Sequence, residues 1–131
     1  MKGSTILVVD DDPVIQKLLT VNFEMEGYRV VCASDGVEGL AQVSAHHPAL
    51  VLLDVMMPHM DGIEVVQRLK ADPTTANIPV ILLSAKAQAT DISGGLDAGA
   101  DDYITKPFDP LDLLDKVAAL IGKNEAPGAA P

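Results

Sequence analysis

A single cysteine, Cys32, is all the thiol this 131-residue chain carries. No disulfide can form within it, and a reducing cytoplasm is the expected compartment. Cys32 lies in the apolar run YRVVCA and is expected to be a small buried hydrophobe. Basic residues are also scarce: 9 Lys and Arg stand against 19 Asp and Glu, a formal net charge of −10. So acidic a surface repels phosphate backbones and anionic bilayers, so neither direct nucleic-acid binding nor membrane binding is expected. No apolar run reaches membrane-spanning length, and the N-terminal MKGSTILVVD lacks the long apolar core of a signal peptide. What remains is 48% hydrophobic and 21% charged, enough to build the core of one domain.

Short aliphatic runs alternate with helical patterns along the chain. The runs are TILVVD (5–10), RVVCA (29–33), ALVLLD (49–54), PVILLS (79–84) and the weaker DYIT (102–105). Three of them are nearly continuous Val, Leu and Ile, as strands covered on both faces require. Amphipathic segments at 14–26, 36–45, 62–71, 91–98 and 110–121 fill the intervals. Pro13 suits a first helical position, Gly27 and Gly99 suit helix ends, and Asp109-Pro110 reads as an N-cap and first turn. Successive βα units imply a doubly wound α/β fold with a parallel sheet and right-handed crossovers. Residues 1–122 are expected to form the domain, and 123–131, KNEAPGAAP, a flexible tail or the start of a linker.

In such sheets ligands bind beyond the carboxyl ends of the strands, where strand order reverses. The first run ends in Asp10, Asp11 and Asp12, the third in Asp54 and the fourth in Ser84, and Lys106-Pro107 follows the fifth. Each has an ordinary explanation alone: a solvated loop, a helix cap, a turn serine, a surface lysine. Together they supply what phosphoryl chemistry needs. Clustered carboxylates hold a hard divalent cation, a hydroxyl and an ammonium take phosphoryl oxygens, and a further carboxylate can be the nucleophile.

The motifs ILVVDDDP, LVLLDVMMPHMDG, VILLSA and GADDYITKPF, in this order, resemble the receiver domain of two-component response regulators. The resemblance covers residues 5 to about 121 and implies a flavodoxin-like, CheY-like (βα)5 sandwich with a five-stranded parallel sheet in the order 2-1-3-4-5. By the same resemblance Asp54 is the phosphoaccepting aspartate, fed by the phosphohistidine of a sensor histidine kinase or a phosphotransfer protein. Asp10 and Asp11, with Asp54 and the backbone carbonyl of Met56, would hold Mg2+. Ser84 and Lys106 would grip the phosphoryl oxygens, and Tyr103 would be the aromatic switch beside Ser84. Lys106-Pro107 resembles a family cis peptide, and Asp12 falls at a variable position outside the metal site.

The implied protein is a phosphorelay switch and not a turnover enzyme, catalysing its own Mg-dependent phosphorylation and slow autodephosphorylation. Its readout surface would be the segment 91–98, the fifth strand and the helix 110–121, acting on an output protein or downstream effector. It would be a monomer or a weak phosphorylation-dependent dimer. Met56 and Lys86 occupy the lifetime-tuning positions; Met56 cannot orient a water, whereas Lys86 could shield the phosphoryl group. The segment TDISGGLDAG carries Gly94 and Gly95 and lacks the basic residues that winged-helix members use for dimer contacts. A mobile helix is expected there, without that dimer mode. His46, His47 and His59 lack metal-ligand spacing and are expected at the surface. Met56, Met57 and Met60 are expected to pack.

Two alternatives compete. Asp10-x-Asp12 mimics the nucleophile motif of haloacid-dehalogenase phosphatases, but that reading leaves Asp54 without a role. It also needs a lysine ahead of the later acidic pair, whereas Asp101 and Asp102 precede Lys106. The other is a receiver-like scaffold that binds proteins without being phosphorylated.

Overall fold

Five runs of aliphatic residues become the strands of one parallel sheet. The computed structural model describes residues 3–55, 62–84, 94 and 96–129, with side chains as far as Gly122. The elements are β1 (Thr5–Val9), α1 (Pro13–Met25), β2 (Arg29–Ala33), α2 (Gly36–His46), β3 (Leu50–Asp54), α3 (Gly62–Ala71), β4 (Val80–Ser84), β5 (Asp102–Thr105) and α4 (Pro110–Ala129). Sheet order is β2-β1-β3-β4-β5, the order the family resemblance implied. Every strand pair is parallel, with Ile6 opposite Leu50 and Asp54 opposite Leu83.

Strand side chains alternate between two cores. Ile6, Val8, Leu50, Leu52, Ile81 and Leu83 pack with Leu19 and Phe23 of α1 and with Leu113, Val117 and Ile121 of α4. Leu7, Val9, Val51, Leu53, Val80 and Leu82 face the other way, against Val43 of α2 and Val65, Val66 and Leu69 of α3. Both faces are covered, so the central strands must be apolar at every position. Each wholly buried aliphatic side chain contributes roughly 1.5–3 kcal/mol. β3 and β4 are buried throughout, while the edge strands β2 and β5 are only partly so. Cys32 is therefore half-buried, not buried, and its Sγ lies 3.5 Å from Thr20 Oγ1.

Local chemistry sets the helix ends. The Asp12 carboxylate accepts the Val14 N–H at 2.9 Å, ahead of Pro13 in the first turn of α1. The Asp109 carboxylate accepts the Leu111 N–H at 2.9 Å at the start of α4. Gly27 and Gly99 take φ of 92° and 115°, as helix-closing glycines do. Exposed His47 closes α2 with φ of 46°, a left-handed cap that an aliphatic-periodicity reading overlooks. The last helix runs to Ala129 and not to 121. The amphipathic pattern ends at Ile121, and the helical backbone continues through Gly122, Pro127 and Gly128 against their low helix propensity. Of the predicted helix at 91–98 only 94 and 96–98 are described, with 94, 96 and 97 helical; Gly95, Met56, Met57, His59, Met60 and Lys86 lie outside the described residues. No helix among the described residues is long and apolar enough to cross a membrane.

Candidate functional site

The chain leaves β1 outward to β2 and returns to place β3 on β1's other side. That reversal opens a crevice beyond the strand ends, and Asp10 and Asp54 stand on its two sides. Asp10 follows β1 directly and is wholly buried; Asp54 ends β3 and is 6% exposed. The Asp10 N–H donates to the Ala33 carbonyl at 3.1 Å, so the residue is anchored one rung past the strand. Its Oδ1 accepts the Asp12 N–H at 2.9 Å and its Oδ2 accepts the Lys106 ammonium at 2.8 Å. Lys106 Nζ also lies 3.4 Å from Asp54 Oδ2.

Carboxylate oxygens of Asp10, Asp11 and Asp54 all lie within 4.8 Å of one another, with Asp11 exposed. An all-oxygen, carboxylate set of this kind suits a hard divalent cation such as Mg2+. Asp12 stands apart from the set, its carboxylate engaged in capping α1. Burial alone would pull the Lys106 pKa down. The hydrogen bond and charge of Asp10, then the charge and hydrogen bond of Asp54, outweigh that and hold it above its ordinary value.

Ser84 ends β4 and is wholly buried. Its carbonyl accepts the Lys106 N–H at 2.8 Å, so the backbones of the predicted hydroxyl and ammonium residues are tied together. The Lys106–Pro107 peptide is cis. Tyr103, half-buried in β5, packs toward the α2–α3 side of the sheet. Structure thus brings Asp10, Asp11, Asp54, Ser84 and Lys106 to one end of the sheet. Met56 and Lys86 are outside the described residues.

One residue that had no assigned role is Gly62, which closes the motif LVLLDVMMPHMDG. Its N–H donates to the Val55 carbonyl at 2.8 Å. A Cβ on it would meet the Asp54 carbonyl oxygen at 2.5 Å and Val55 Cα at 2.8 Å. Both are backbone atoms and cannot rotate away. Gly62→Ala is therefore expected to cost about 2 kcal/mol, the usual scale of overpacking. A lowered urea midpoint with unchanged slope checks this, against Gly94→Ala, whose Cβ meets nothing within 4 Å. A Gly62→Ala midpoint equal to wild type overturns it.

Comparison with known proteins agrees with this geometry. Residues 6–118 match the family described as the response regulator receiver domain. The DNA-binding dual master transcriptional regulator RpaA of Synechocystis sp. is 48% identical over 120 residues, covering 92% of this chain and 50% of RpaA. The chain spans about half the length of the curated relatives it matches. The expectation of no nucleic-acid binding came from this chain's own acidity and does not carry to a protein of RpaA's length. Among solved structures, a CheY-like receiver domain protein from Methanospirillum hungatei superimposes with a TM-score of 0.89 at 33% identity, covering 95% of this chain and 98% of its own. The receiver domain of a sensor histidine kinase from Pseudomonas aeruginosa, which has a magnesium ion coordinated in its active site cleft, gives 0.84 at 31% identity, covering 92% and 98%. With its fold and these relatives in agreement, the chain belongs to the response regulator receiver domain family.

Proposed function

We propose that Asp54 is the phosphoacceptor of a two-component phosphorelay and that Asp10 and Asp11 form the Mg2+ side of its site. The observation that carries this reading is the setting of Asp54: a nearly buried carboxylate between an ammonium at 3.4 Å and two further carboxylates. An Asp54 oxygen attacks the phosphorus of a kinase or phosphotransfer-protein phosphohistidine. The P–N bond breaks, the imidazole nitrogen keeps the electron pair, and an acyl phosphate forms. Asp10, Asp11, Asp54 and the Met56 carbonyl would hold Mg2+, which when bound neutralises charge on the incoming phosphoryl group. Lys106 leaves Asp10 for a phosphoryl oxygen, and the Ser84 hydroxyl donates to another.

The product adds charge and strong acceptors at one point, and the readout is a shift of Ser84 and Tyr103. Tyr103, Pro107, Phe108, Asp109, Asp112 and Lys116 line a groove of about 300 Å³ beside β5 and α4. That groove, with the segment 91–98, is the surface offered to an output protein or domain. Residues 1–122 are the receiver and 123–131 its tail or linker, working in the cytoplasm as a monomer or weak phosphorylation-dependent dimer.

Acetyl phosphate with Mg2+ tests the reading. The expected product is one phosphoryl group per chain, labile to hydroxylamine as an acyl phosphate is. Steady hydrolysis of a phosphomonoester would instead mark a phosphatase, and no adduct at all would mark a scaffold; either overturns the proposal. Once labelled, the chain is expected to lose its phosphoryl group slowly, because Met56 cannot hydrogen-bond an attacking water. Met56→Asn is expected to shorten the phosphorylated lifetime by about tenfold, less than the roughly hundredfold or more of a positioned acid or base, because an amide orients the water without taking its proton. Decay of the two proteins at equal rates refutes that role.

A further inference from the structure

Gln16 lies in the second turn of α1 and is half-buried. Its side-chain Nε2 donates to the Asp10 carbonyl at 2.6 Å and reaches the Ala33 carbonyl at 3.2 Å and Ser34 Oγ at 3.4 Å. Two of these neighbours can only accept, so the NH2 end of the amide must face them. The two carbonyls sit where β1 and β2 end, and the Asp10 N–H already donates to the same Ala33 oxygen at 3.1 Å. One amide group therefore pins both strand ends to α1.

The consequence falls on the acidic loop. Asp10 is held at its N–H by Ala33, at Oδ1 by Asp12 and at Oδ2 by Lys106. Its carbonyl, held by Gln16, belongs to the peptide that joins Asp10 to Asp11. The orientation of that peptide decides where the exposed Asp11 carboxylate starts from, and nothing in Asp11's own surroundings need fix it. We infer that Gln16 is a positioning residue that orients the Asp10–Asp11 peptide so that both carboxylates face Asp54. It touches no reacting atom. The inference rests on the reading of Asp10 and Asp11 as the Mg2+ side of the site.

Gln16→Met tests it, because methionine keeps length, volume and helix propensity and removes only the donor. Two measurements are made on wild type, Gln16→Met and a control, Gln67→Met, which makes the same change on the exposed side of α3. The first is Mg2+ binding to the unphosphorylated chain by calorimetry. The second is the rate of phosphorylation by acetyl phosphate as Mg2+ is raised. Loss of a partner one shell behind a ligand weakens metal binding, so Gln16→Met is expected to raise the Mg2+ dissociation constant about tenfold. The half-saturating Mg2+ should rise in step, while the rate at saturation stays within about twofold of wild type.

A folded Gln16→Met that binds Mg2+ like wild type overturns the inference, as does a fall in the saturating rate with unchanged half-saturation. If Gln16→Met does not fold, Gln16→Asn withdraws the same amide by one methylene and is read by the same two criteria. Wild type that neither binds Mg2+ nor takes up phosphoryl groups overturns the underlying reading instead, so the two failures are told apart.

Discussion

Asp54→Asn is expected to abolish phosphoryl uptake and, in metal-free buffer, to make the chain harder to unfold. The first effect follows from chemistry: an amide oxygen cannot form the acyl phosphate. The second follows from the site's charge. Asp54 is 6% exposed, its oxygens lie within 4.8 Å of those of Asp10 and Asp11, and one ammonium stands 3.4 Å away. Two repulsions and the desolvation of a buried carboxylate weigh against its charge, and the Lys106 ammonium that attracts it is already shared with Asp10 at 2.8 Å. Asparagine keeps the shape and hydrogen-bonding capacity and removes the charge. A gain of about 1–2 kcal/mol is expected, the scale on which buried charges burden a fold. Urea unfolding in chelator checks the gain, and acetyl phosphate with Mg2+ checks the loss. A variant less stable than wild type would show that the Lys106 attraction dominates, and a variant that still takes up a phosphoryl group would place the acceptor elsewhere.

Such an opposition of stability and function explains why the site was readable before any geometry. Three adjacent aspartates after an aliphatic strand have an ordinary reading as a solvated loop, and it was Asp54, Ser84 and Lys106 at the other strand ends that turned them toward phosphoryl chemistry. The strands were equally plain, because a sheet covered on both faces leaves Leu50–Asp54 and Val80–Ser84 no polar position until the end. Edge strands were harder: β5 is buried only in part, and its composition is correspondingly mixed. Strand order came from the family resemblance and not from the residues alone. Lys106 and Asp10 are 96 residues apart, and only the sheet order brings them to 2.8 Å. Gln16 gave no signal, because a glutamine on a helix beside a lysine looks like ordinary surface. Gly62 gave a weak one: a glycine at a helix start is common, and only the Asp54 carbonyl at 2.5 Å from its missing Cβ shows why no other residue fits.

Removing the ammonium instead of a carboxylate should do the reverse. Lys106→Met is expected to cost about 3 kcal/mol at neutral pH without metal, the low end for orphaning a buried carboxylate, since Lys106 keeps 20% of its side-chain surface in water. Asp10 supplies most of this, being wholly buried and the closer partner. Added Mg2+ is expected to recover part of the loss by binding the folded chain, and to bind the variant more tightly than wild type, because no ammonium competes for Asp10 Oδ2. The pH dependence has a definite sign. Folding raises the Lys106 pKa above its ordinary value of 10.5, so the pair's contribution is whole below 10.5 and is lost as pH climbs through the raised value. Wild type should lose that increment in the alkaline range and Lys106→Met should not, so their urea midpoints should converge there. Midpoints that stay parallel across that range would mean the pair adds nothing to stability. In Asp54→Asn the lysine has one partner fewer, so its loss costs less there and the double variant should be more stable than the two single effects add up to, as neighbouring charges require.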